Sequence, residues 1–134
     1  MFSYLTALEC QECAARTSAK VNLYNNVWHS SELACVLGNN SAEAAEKVLR
    51  VVESVSVMRR VLFIDLQGSD RSFGERTCAE VPGNILHVDI DLVGLDPSAP
   101  EKFLAEIEET IVGTGVRVCA IDSLFYLCAW SGKC

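Results

Sequence analysis

The stretch "SAEAAEKVLRVVESVSVMRRVLFIDL" constrains the fold more than any other, because a helical period runs almost directly into a continuous apolar strand. Ala45, Val48, Leu49, Val52, Val55 and Met58 recur at helical spacing, with Glu43, Glu46, Lys47, Arg50 and Glu53 on the opposite side, so the spacing predicts a helix over 41–58. Asn40 or Ser41 supplies its cap. "VLFIDL", over 61–66, is β-branched and aromatic with almost no polar interruption, the pattern of a strand covered on both faces.

The alternation of helix and strand continues on both sides. Residues 67–81 read as a loop and a short helix. "ILHVDIDL" alternates strictly, with His87, Asp89 and Asp91 on one face, which suggests an edge or half-exposed strand with His87 solvated. "SAPE" at 98–101 has capping-box spacing and opens a helix whose apolar face is Phe103, Leu104, Ile107 and Ile111, ending at Gly113 and Gly115. Residues 116–121 form the last strand. Upstream, 4–19 reads as a helix, "NLYNNVWHSSE" as a polar, aromatic connection, and 33–37 as a short buried strand ending at the turn formers Gly38, Asn39 and Asn40. Strands separated by helices predict an α/β domain with a mainly parallel sheet of about four strands, covered on both faces by right-handed crossovers.

The chain has 134 residues, 50% of them apolar, enough for one domain with a sizeable core. We divide it into an N-terminal helix and connection (1–32), a core (33–127) and a tail (128–134). Apolar runs are too short to span a bilayer and no signal-type leader is evident, so a cytoplasmic protein without membrane contact is expected. The formal charge is −7 and the 11 basic residues are scattered, with Arg59 and Arg60 the only adjacent pair. Direct nucleic-acid binding is not expected from that charge. The 7 cysteines suggest free, mostly buried thiols. Cys10 and Cys13 form a C-x-x-C, but a zinc site needs more ligands, and His29, Cys35 and His87 lack a matching spacing, so no metal is expected. A redox pair would follow a first strand, which this order does not offer. No Ser/His/acid arrangement stands out for acyl transfer.

Ligands of parallel sheets meet the carboxyl ends of strands. Here those ends carry Gly38, Asn39, Asn40 and Ser41, then 65–70, then Asp122 with Ser123. "IDLQGSDRSF" and "AIDSLFYL", each at a strand end, resemble the core of RecA-like P-loop ATPases, and most of all the RepA-like ATPases of plasmids and mobile elements. The similarity covers 33–127. It implies that Asp122 matches the aspartate ending the Walker B strand, which holds the magnesium shell of a bound nucleotide. Gln67 falls where the family has the catalytic glutamate that orients or activates water. Glutamine can hydrogen-bond water but cannot accept its proton, so hydrolysis should suffer.

By the same resemblance, Gly38, Asn39, Asn40 and Ser41 stand where the phosphate loop belongs, with Ser41 matching the magnesium-binding Ser/Thr. A complete loop reads G-x-x-x-x-G-K-[ST]. In that register this chain has Ala34, Asn39 and Asn40, so both glycines and the lysine are missing. A degenerate loop or a plain turn is expected, with no cofactor, or ATP and magnesium held weakly through Ser41 and Asp122. RecA-like cores continue with further strands, whereas this chain ends shortly after "SLFYLCAW", whose large apolar residues would be exposed without cover. A homo-oligomer or a partner protein is therefore expected. The implied role is an ATPase-fold protein with impaired catalysis, acting through protein contacts in the replication or mobilisation of an element. Two alternatives remain: an active ATPase completed by a neighbouring subunit, and a receiver-like domain with Asp65 as phosphoacceptor. The latter class needs a late-strand lysine, and Lys102 and Lys133 are not so placed.

Overall fold

A reciprocal capping box starts the first helix. Thr6 donates its backbone N–H and hydroxyl to the Glu9 carboxylate at 3.2 and 2.9 Å, and Glu9 N–H donates to Thr6 Oγ1 at 3.1 Å. The helix, α1, spans Ala7–Arg16 and buries none of its residues. The capping box sets its start inside the expected 4–19. This computed structural model describes residues 2–16, 20–90, 96–123, 128 and 132. The chain divides into two compact units, Met1–Ala34 and Cys35–Cys134.

The segment read as a connection is a small antiparallel ribbon, β1 (Asn22–Tyr24) and β2 (Trp28–His29). Asn25 and Asn26 turn it with φ of 45° and 57°, a left-handed conformation that asparagine tolerates better than most residues. The Trp28 indole then donates to the Glu32 carbonyl at 3.0 Å, and the Glu32 carboxylate accepts the His29 N–H at 2.7 Å.

In the second unit, the Asn40 side chain caps α2 (Ser41–Ser56) by accepting the Glu43 N–H at 2.9 Å. α2 leads to β3 (Val61–Asp65), buried at every position, and then to α3 (Asp70–Arg76), capped by Ser69. A 3₁₀ turn at Pro82–Asn84 precedes β4 (Ile85–Asp89), and α4 (Pro100–Thr114) precedes β5 (Val118–Asp122). β3 is central, parallel to β4 on one edge and to β5 on the other. Successive side chains of β3 point to opposite faces. Leu62 and Ile64 pack with Phe103 of α4, while Phe63 meets Phe73 of α3 at 5.5 Å between ring centroids. The chain is thus a mixed α/β protein with a three-stranded parallel sheet flanked by helices.

Several expectations are corrected. Residues 33–37 form no strand; Leu33 is 96% and Leu37 81% exposed, so the described sheet has three strands rather than four. An apolar run becomes a strand only where an edge receives it, and among the described residues none pairs with this one. Glu53, placed on the outer face of its helix, is buried and accepts hydrogen bonds from Thr77 Oγ1 at 3.0 Å and from the Cys78 N–H, which ties α2 to the end of α3. Ser98 does not cap α4: its N–H and hydroxyl both donate to Asp96, at 2.9 and 2.7 Å, and the helix begins at Pro100 after Ala99. Leu104 is exposed. Gly115, with φ of 70°, ends α4 in the left-handed region. The thiols of Cys10, Cys13, Cys35 and Cys78 are exposed rather than buried, and Cys128 is disulfide-bonded. Asp91 and most of "SLFYLCAW" lie outside the described residues. Among the described residues no helix is long and apolar enough to cross a membrane.

Candidate functional site at the carboxyl edge of the sheet

Strand register places three aspartates in one row. Asp65 of β3 is level with Asp89 of β4 and with Asp122 of β5, at the carboxyl ends of the parallel strands. Asp65 and Asp122 are each only 2% exposed, whereas Asp89 is exposed. Two buried carboxylates on adjacent strands need partners, and they find very different ones.

Asp65 is fully engaged. One carboxylate oxygen accepts the N–H groups of Gln67 and Gly68 at 3.0 and 2.7 Å, so the chain turns sharply after β3. The other lies 2.9 Å from His87 Nε2, and His87 Nδ1 lies 2.6 Å from Asp70 at the start of α3. The His87 ring also stacks on Phe73 with centroids 4.4 Å apart and planes 11° apart. His87 is therefore not solvated as the alternation suggested; its side chain is 8% exposed because α3 covers that face of β4. Sequence reasoning missed it as a site residue. The signal was present in Phe73, whose position in the short helix after β3 calls for an aromatic or apolar partner.

Among the described residues the Asp122 carboxylate has one side-chain hydrogen-bond donor, the Gln67 amide, at 2.5 Å. The structure thus joins the two residues that the sequence placed at separate strand ends, 55 positions apart. Burial pushes the Asp122 carboxyl above its ordinary range; the Gln67 hydrogen bond opposes the rise, the Asp65 charge adds to it, and Arg76 pulls it back. Beside it, Ser123 Oγ is buried without a hydrogen-bond partner, the one such side-chain atom among the described residues.

The other predicted residues lie in the turn before α2. Gly38, Asn39, Asn40 and Ser41 are exposed, and their hydrogen bonds run within the turn and α2. Asn39 N–H donates to the Glu43 carboxylate at 3.2 Å and Glu43 N–H to Asn40. Hydrogen bonds from Lys47 and the Asn39 backbone hold the Glu43 carboxyl below its ordinary range. Lys47 also donates to the Leu37 carbonyl at 3.1 Å. A carboxylate therefore already occupies donors that a phosphate would use, and the nearby ammonium is committed to Glu43 and Leu37. No hydrogen bond joins these four residues to Gln67 or Asp122 among the described residues.

Elsewhere, a pocket of about 110 Å³ lies between α4 and the sheet, lined by Leu62, Ile64, Val88, Phe103, Ile107 and others. It is mostly apolar, with Glu106 and Thr110 also in its lining, lies on the face away from Phe63, and includes none of the aspartate row. No group of three or more His, Cys, Asp or Glu among the described residues could hold a metal. No family model, curated protein or solved structure matches the chain.

Proposed function

We propose that this chain is a RecA-like domain, closest to the RepA-like ATPases, in which the nucleotide site has become internal structure and which acts by contact with protein rather than by hydrolysis. The observation that carries the reading is the Gln67–Asp122 hydrogen bond across adjacent parallel strands. By the resemblance, these positions hold the water-activating group and the magnesium aspartate. Here an amide donor replaces the proton acceptor and takes up an oxygen of the aspartate. The turn before α2 adds to this, since the Glu43 carboxylate repels a phosphate from the Asn39 N–H that it already binds. The residues present do not fit a magnesium-bound triphosphate. Asp65, with both carboxylate oxygens engaged internally, is equally ill placed as a phosphoacceptor.

The proposed setting, by the same resemblance, is replication or mobilisation of an element. Calorimetric titration with ATP and magnesium, on the native chain and Asp122→Ala, tests the reading. It expects no saturable heat from either protein. Saturable binding that Asp122→Ala abolishes would restore the ATPase alternative.

A further inference from the structure

Three side chains meet beneath α3, and their donors and acceptors do not balance for a neutral ring. His87 Nε2 lies 2.9 Å from Asp65 Oδ2 and His87 Nδ1 lies 2.6 Å from Asp70 Oδ1, so each ring nitrogen faces a carboxylate oxygen. An ionised carboxylate only accepts, and a neutral imidazole carries one N–H and one lone pair. Either the ring holds two protons, or one carboxyl is protonated and donates to it. A carboxyl ordinarily keeps its proton only below about pH 4 and an imidazole below about pH 6.5, so a proton shared between them belongs on the ring. The stack on Phe73, with planes 11° apart, agrees, because the face of an aromatic ring attracts a cation.

The two contacts differ in what their loss entails. Asp65 is 2% exposed and its other oxygen already takes the Gln67 and Gly68 N–H groups, so without the ring its Oδ2 would be buried with no donor among the described residues. The Asp70 side chain is 75% exposed, and water solvates it readily. When the ring gives up one proton to solvent, the remaining N–H therefore stays on Nε2, and the Nδ1 lone pair is left facing the Asp70 carboxylate. Two acceptors repel, and Asp70 is the one free to turn away. The other charged groups on the surrounding elements do not alter this sorting. Asp89, two residues on and on the same face of β4, is exposed. On α3, Arg71 pairs with Glu75 at 3.1 Å and Arg76 bears on Asp122. On α2, Glu53 is taken up by Arg50, Thr77 and Cys78. None of these hydrogen-bonds His87 among the described residues.

We propose that His87 is a proton-operated latch on α3. Doubly protonated, it ties Asp70, at the first position of α3, to Asp65 of β3 and closes the helix over the cluster of Phe63, Phe73 and His87; singly protonated, it keeps Asp65 and releases Asp70. Rising pH thus loosens α3 at its first turn. The inference concerns α3 and does not rest on the preceding reading of the nucleotide site.

The test is nuclear magnetic resonance of the full chain, isotopically labelled in nitrogen, which reads each ring nitrogen as protonated or bare while the pH is raised from about 5. The chain has 2 histidines, and His29→Gln identifies the signals of His87. The expected course is loss of the Nδ1 proton alone, with Nε2 protonated throughout and a shift of the α3 amides at the same midpoint. Asp70→Asn separates the latch from other titrations, because an amide serves Nδ1 in either state, accepting from its N–H or donating to its lone pair. In that variant the ring should still titrate and the α3 response should be lost. A ring singly protonated from the start, a neutral ring whose proton sits on Nδ1, a ring doubly protonated until the chain unfolds, or an α3 response that persists in Asp70→Asn overturns the inference.

Discussion

Asp65 and Asp122 occupy the same row of adjacent strands and are equally buried, yet their surroundings treat them differently. Asp65 receives two backbone N–H groups and an imidazole, so its charge is solvated by the fold itself. Among the described residues Asp122 receives a single side-chain amide and stands next to an unpartnered hydroxyl. The first is an architectural group that shapes the turn after β3 and anchors α3. The second is held at a cost, because burial disfavours its charge.

The largest expected effect comes from removing the architectural group. Asp65→Ala leaves two N–H groups and the His87 ring without an acceptor, and should lower stability by about 3–5 kcal/mol in urea denaturation. The matching Asp122→Ala leaves only the Gln67 amide, which can turn to solvent, and should cost well under half as much. Equal losses would erase the distinction between the two sites.

His87→Ala removes the Asp65 and Asp70 contacts and the stack on Phe73 together, and we expect a loss of about 2 kcal/mol, with faster amide exchange in α3. Gln67→Glu sets a second carboxylate against a buried one. It should destabilise by about 1–2 kcal/mol at neutral pH and recover on acidification, as protonation of either group relieves the repulsion.

The smallest effect concerns Asp122→Asn. The native carboxyl titrates above its ordinary 3.8 because burial disfavours its charge. The folded chain therefore binds that proton more tightly than the unfolded one, so this group adds stability as the pH falls through its folded-state pKa. That contribution is complete below 3.8 and is lost as pH rises. Asparagine keeps an oxygen for Gln67 and never ionises. The variant should match or exceed the native stability at neutral pH and lose the acid-side gain, read as the difference between two pH–melting curves.

Much of the second unit was legible because its signals are local. The helical period of 41–58, the unbroken run at 61–66 and the glycine after α4 each state a geometry that few neighbours can override. What was missed depends on partners distant in sequence. His87 looked solvated because alternation identifies a face but not its cover, and that cover is Phe73 and Asp70 of α3. Glu53 looked exposed because the helical wheel cannot show that Thr77 and Cys78 would offer donors. Residues 33–37 looked like a strand because composition reports strand-forming tendency, while pairing needs an edge. The ribbon at β1 and β2 could have been found from the Asn25–Asn26 pair between aromatic residues, a turn signal that the polar composition concealed. At the candidate site, Gln67 and Asp122 were identified separately; their hydrogen bond required the parallel register of β3 and β5.

The most direct test of the account is the nuclear magnetic resonance signal of the Gln67 side-chain amide, recorded with and without magnesium and ATP. An amide committed to Asp122 should be slow to exchange, shifted from the free glutamine position and unmoved by nucleotide. If the signal is that of a free side chain, or moves saturably with ATP and magnesium, then Asp122 is available to a ligand and the view of this edge as internal structure is wrong.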